Sequence, residues 1–160
     1  MATQTNLPAA FVAGDILTAA QQNNLRGAFR VLQMFSVQGA TQQTSTSATY
    51  ADVTSLTVTI TPQASTNKIL IVSTNALLAS GASADAGIQF LRGATTIYTS
   101  VSAIMATNTG GTFTNMYLDS PATTSATTYK VQFNRNAGTG TVFSSIASTL
   151  SNLVIMEISA

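Results

Sequence analysis

The sequence predicts a mainly β protein, an antiparallel jelly-roll β-sandwich preceded by a short N-terminal arm and helix. Three observations carry this. Leu56, Val58 and Ile60 alternate with Thr57, Thr59 and Thr61, the period-two pattern of a half-buried strand. Tyr129, Val131 and Phe133 alternate in the same way with Lys130, Gln132 and Asn134. Turn-forming residues recur every 8–12 positions, and no strand–helix alternation points to a parallel sheet.

Taken in order, residues 1–14 form a leader broken by Pro8 and Gly14, with more apolar content (Leu7, Ala9 to Ala13) than a free tail needs. Thr18-Ala19-Ala20-Gln21 reads as a capping box, with Asp15 a rival N-cap. Gly27 costs about 1 kcal/mol inside a helix, which ends the helix near Arg26 to Phe29. Such a short helix needs a partner surface. Arg30 to Gln38 fits either a continued helix or a strand; Val31, Phe35 and Val37 favour the strand. Gly39 to Thr49 is polar and of low complexity, a linker or a solvent-facing strand end. These readings divide the chain into an arm with a helix, residues 1–29, and a β-domain, residues 30–160.

Within the β-domain, Pro62 closes the strand that leads through Ile60, because it lacks the N–H a ladder needs. Lys68 to Ala79 is a denser apolar run, as in a central strand. Ser80 to Asp85 is a turn, Ala86 to Leu91 a strand, and Arg92-Gly93 a hairpin-like turn. Thr95 to Ser102 and Thr112 to Asp119 are strands, separated by a Thr107 to Gly111 loop. Thr127 to Asn136 is a strand, Ala137 to Gly140 a loop, Thr141 to Ile146 a short strand, and Leu153 to Ile158 a final buried one.

Composition limits function. Apolar residues make up 45% of 160, but charged residues only 7%, with Thr, Ser, Ala, Asn and Gln in their place. So few charges protect a lone monomer poorly against self-association, which favours an oligomer. The six cations (Arg26, Arg30, Lys68, Arg92, Lys130, Arg135) are scattered and the net charge is +1, which argues against nucleic acid as a partner. No apolar run approaches a membrane-spanning helix of about 20 residues. Met1 to Pro8 lacks the basic start and apolar core of a signal peptide.

Catalytic, cofactor and metal residues are expected to be absent. The chain has no His and no Cys, which removes Ser–His triads, thiolate chemistry and the commonest metal ligands. Its five carboxylates, Asp15, Asp52, Asp85, Asp119 and Glu157, are each more than thirty residues from the next. Asp52, Asp85 and Asp119 sit at strand ends or turns, where Asp commonly bonds local backbone amides. Thr109-Gly110-Gly111 and Gly138-Thr139-Gly140 lack the strand–loop–helix setting of a phosphate cradle and read as hairpin loops. Tyr50, Tyr98, Tyr117 and Tyr129 are expected in core or interface, hydroxyls at the wet edge. If the glycine loops share one end of the sandwich, Asn108, Gly110, Gly111, Asn136 and Thr139 form its recognition tip.

Phe11-Val12-Ala13-Gly14-Asp15-Ile16-Leu17-Thr18-Ala19-Ala20-Gln21, followed by Asn23-Asn24-Leu25-Arg26-Gly27, resembles the start of many tailed-bacteriophage virion appendage proteins. Tyr50-Ala51-Asp52-Val53, Asn67-Lys68-Ile69-Leu70-Ile71-Val72, Phe90-Leu91-Arg92-Gly93, Leu118-Asp119-Ser120-Pro121 and Thr127 to Phe133 are similar to their companion β-domain. The resemblance implies a trimeric jelly roll akin to the tumour-necrosis-factor and complement-head type, without enzymatic activity. It implies attachment to other virion proteins through the N-terminal part, with Phe11, Val12, Ile16, Leu17 and Leu25 as the apolar candidates. It leaves the outer end free for a host-surface glycan or protein. The chain departs from such fibres in lacking a long shaft, so a head fibre, capsid decoration protein or short tail-tip fibre fits its length. A free carbohydrate-binding module is the rival reading.

Overall fold

The computed structural model describes residues 16, 18, 19, 30–80, 84–101, 108–145 and 149–159. Among these residues the strands are β1 (Val31–Gly39), β2 (Gln43–Ser45), β3 (Ala51–Ile60), β4 (Lys68–Ser80), β5 (Ala84–Arg92), β6 (Thr95–Val101), β7 (Thr109–Asp119), β8 (Thr127–Gly138), β9 (Thr141–Ser144) and β10 (Ser151–Ile158). The expected helix lies outside the described residues, apart from Thr18 and Ala19, which are exposed.

Two antiparallel sheets face each other. In the first, β7 runs along one edge of β4, from Ile69 opposite Asp119 to Ala79 opposite Thr109. On the other edge of β4, β10 and β9 lie end to end. β1 pairs with β10, and β2 with β9. The columns are therefore β1/β2, β10/β9, β4 and β7. The second sheet runs β3, β8, β5, β6. The chain changes sheet at every connection except β1–β2, β5–β6 and β9–β10. Two four-column sheets interleaved in this way are a jelly roll.

The core follows from the alternations. Leu56, Val58 and Ile60 are buried, as are Tyr129, Val131 and Phe133, and they meet Ile69, Ile71, Ile88, Phe90, Leu153 and Ile155 between the sheets. Burying each such side chain contributes roughly 1.5–3 kcal/mol. Thr57, Thr59 and Thr61 are exposed, as their register requires, and the Thr59 hydroxyl lies 2.8 Å from that of Thr128.

The ambiguous Arg30 to Gln38 segment is strand: β1 pairs with β10 from Gln33 opposite Glu157 to Gly39 opposite Ser151. The polar Gly39 to Thr49 stretch contains β2. Two expectations need correction. Gly110 and Gly111 belong to β7, opposite Leu78 and Leu77, and the Gly138 to Gly140 turn carries the chain to the other sheet; neither is a hairpin loop. The β5–β6 ladder carries a bulge: Phe90 faces Tyr98 and Leu91 faces Thr96, so Ile97 and Tyr98 both pack on the core. A second bulge, between Asp52 and Thr57, places Val53 and Leu56 inside together. There Gln43 supplies the missing ladder bonds, its Oε1 accepting from Thr54 N at 2.9 Å and its Nε2 donating to Thr54 Oγ1 at 2.6 Å.

Candidate functional site

The sandwich has two poles. At one, the base, the start and end of the described β-strands meet: Arg30 N donates to Ser159 Oγ at 3.0 Å, and Ser159 N donates to Arg30 O at 3.0 Å. At the other, the tip, Ala79 stands opposite Thr109, Ser80 opposite Thr141 and Ala84 opposite Gly138. Asn108, Gly110, Gly111, Asn136 and Thr139 all lie at this tip, and all but the half-buried Gly111 are exposed. Asn108 takes a φ of +56°, which Asn tolerates better than most residues. Gly110 is required by space: a Cβ there would lie 2.6 Å from the Leu77 carbonyl oxygen. Of the attachment candidates, Ile16 is exposed, and Phe11, Val12, Leu17 and Leu25 lie outside the described residues.

The base holds two buried carboxylates, Asp119 and Glu157, in register on either side of Ile69. Asp119 receives Arg92 Nη1 at 2.9 Å on both oxygens and the Tyr129 hydroxyl at 2.7 Å. This joins β5 and β8 of the second sheet to the end of β7 in the first. Burial, then the Asp119 charge and hydrogen bond, push the Tyr129 hydroxyl far above the usual tyrosine range. Its hydroxyl is thus sequestered rather than at a wet edge. Glu157 receives Gln33 Nε2 at 2.5 Å, Asn67 Nδ2 at 2.5 Å and Gln63 N at 2.7 Å. Burial alone would raise its pKa; the donors from Asn67, Gln33 and the Gln63 and Ala64 backbone outweigh that and hold it below the usual range. Both carboxylates are occupied by protein donors and act as clamps. Glu157 pins the β3–β4 connection to β1.

Asp52 lies on the outer face of the second sheet. It accepts from Lys130 Nζ at 2.9 Å and Gln132 Nε2 at 2.5 Å, and Gln132 Oε1 in turn accepts from Gln89 Nε2. Burial raises its pKa, but these donors dominate and the net shift is downward. The expectation that Asp52 and Asp119 bond local amides is therefore wrong. Asp52 meets Lys130 and Gln132 across the β3–β8 ladder, and Asp119, at the end of β7, is reached by Arg92 and Tyr129 from the facing sheet. Among the described residues no group of three His, Cys, Asp or Glu is placed to hold a metal. No described helix is long and apolar enough to cross a membrane.

The outer face of the first sheet is built differently. Cross-strand register aligns Met34, Met156, Leu70 and Leu118 in one row, and Ser36, Val154, Val72 and Met116 in the next. Met34, Met116 and Leu118 are 62%, 64% and 53% exposed. Together the two rows form a contiguous apolar patch on this face. Beyond it towards the tip comes a polar row, Gln38, Asn152, Thr74 and Thr114.

No family model matches the chain, and no curated protein matches it. Solved structures do. One is that of the infectious bursal disease virus Gx strain, 11% identical, with a TM-score of 0.50 over 80% of this chain and 32% of the viral chain. Another is that of the Gt strain of the same virus, 14% identical, with a TM-score of 0.47 over 80% of this chain and 38% of the other. At these identities the likeness is one of fold. The chain spans about a third of the length of the viral chains it matches.

Proposed function

We propose that this chain is a non-enzymatic structural protein of a virion, a short trimeric fibre or capsid decoration protein of a tailed phage. Residues 1–29 attach it to the particle, and residues 30–160 form the outward β-domain that meets the host surface. The observation that carries this reading is the apolar outer face of the β1–β10–β4–β7 sheet. It sets Met34, Leu70, Met116, Leu118, Val154 and Met156 side by side, while the opposite sheet covers itself with Asp52, Lys130, Gln132 and threonines. One face is made for water and the other for a neighbour. Closed symmetric assembly of identical chains is the common way to cover such a face.

Two further observations support it. The fold is shared with a chain of a virus structure. The polypeptide enters the sandwich at the pole opposite the tip, so an N-terminal attachment leaves the tip free. Sedimentation velocity on the full chain tests the reading: a trimer is expected, and a stable monomer at micromolar concentration overturns it. Labelling the protein on intact particles locates it on head or tail.

A further inference from the structure

Ala76 sits on β4 where its neighbour changes. β9 ends at Ser144, opposite Leu77, and the pairing with β10 resumes at Asn152, opposite Thr74. The backbone of Ala76 is completed by the residues of that break. Ser145 N donates to Ala76 O at 2.9 Å, and Ala76 N donates to Ser151 Oγ at 3.0 Å. Ser145 adopts a φ of +58° as the chain leaves the sheet there. On the other edge of β4 stand Gly110 and Gly111, which have no side chains to fill the space. The result is a notch of about 290 Å³ lined by Ala76, Gly110, Gly111, Thr112 and Thr149.

The lining has a definite chemistry. Among the described residues it contains no charged or aromatic side chain. Thr112 and Thr149 are exposed, and neither bonds to another described residue. Gly110 and Gly111 bring only backbone to the lining. Two hydroxyls beside peptide groups, with no charge, complement a neutral ring rich in hydroxyls. The volume falls just under the ~300–1,000 Å³ of pockets for drug-sized ligands, enough for one ring. The notch lies tipward of the Thr74–Thr114 pair, whose hydroxyls are 3.2 Å apart and separate it from the apolar rows.

We infer that this notch binds one neutral monosaccharide unit of a host-surface glycan, an inference that rests on the reading of the tip as the host-facing pole. The test is saturation-transfer NMR on the full chain with glucose, galactose and N-acetylglucosamine. Binding of at least one near 1 mM, worth about 4 kcal/mol, is expected. Thr112→Phe fills the notch from an exposed position and should abolish the signal. Thr149→Ala should weaken it several-fold, and Asn136→Ala, at the same pole but outside the lining, should leave it intact. Circular dichroism confirms that each variant is folded. Absence of transfer from all three sugars overturns the inference, as does equal binding by Thr112→Phe. Sedimentation of the same samples reads the assembly independently, so loss of sugar binding in an intact trimer counts against the notch alone.

Discussion

Tyr129 donates its hydroxyl to Asp119 at 2.7 Å, from the second sheet into the end of the first, and both residues are buried. Arg92 balances the charge from a third strand. Tyr129→Phe keeps the ring and removes one hydrogen bond to a charged group, which should cost about 1.5–3 kcal/mol. Thermal melts should show a Tm lower by about 2–4 °C per kcal/mol for a chain of this size. An unchanged Tm would mean that the pair does not hold the sheets together.

Glu157 makes a pH prediction. Its folded pKa is depressed by its donors, so its contribution is complete above the unfolded value of about 4.3 and is lost as pH falls through the lower folded value. Glu157→Gln should lose about 1–3 kcal/mol at pH 7, because its amide cannot accept all the donors. The gap between wild type and variant should narrow below about pH 4. Melts across pH 2–7 would show this, and a gap independent of pH would refute it.

The register of β3 is tested by two neighbours. Leu56→Ala opens a cavity between the sheets and should cost about 2–5 kcal/mol. Thr57→Ala, on the exposed face, should change stability by no more than about 0.5 kcal/mol. Comparable losses in urea unfolding would show that the two faces are misassigned.

The apolar outer face predicts a separation of folding from assembly. Met156→Lys places a charge between Met34 and Leu70 without entering the core. Its circular dichroism should match wild type while its sedimentation coefficient falls to that of a monomer. Thr57→Lys, on the opposite sheet, is the control and should assemble normally.

Gly110 separates structure from recognition at the tip. Gly110→Ala drives a Cβ against the Leu77 carbonyl and should destabilise by about 1–3 kcal/mol. A variant as stable as wild type would show that the β4–β7 ladder relaxes freely there.

Much of this fold is readable from alternation alone. Leu56 to Thr61 and Tyr129 to Asn134 display period two, and the structure buries the apolar set of each. The bulges were not readable. An extra residue such as Ile97 changes face without changing composition, and only the partner strand reveals it. Gly110 and Gly111 looked like loop because glycine in a strand is a weak signal; the requirement there is close approach to Leu77, a tertiary fact. The dense apolar runs of β4 and β10 pointed to burial. Their inward residues Ile69, Ile71, Leu153 and Ile155 obey, while Leu70, Val72, Val154 and Met156 face outward. Pole assignments needed the sheet order, which sequence spacing does not encode.

The bonds between Arg30 and Ser159 also decide how the protein bears force. A pull between Arg30 and the tip runs along β1. It loads the ladder to β10, Gln33 to Gly39 against Glu157 to Ser151, in shear, with its pairs resisting together. A pull between Arg30 and Ser159 instead peels that ladder open from these two residues inward, pair by pair. The same fold is thus stiff along its axis and soft to tension across its base.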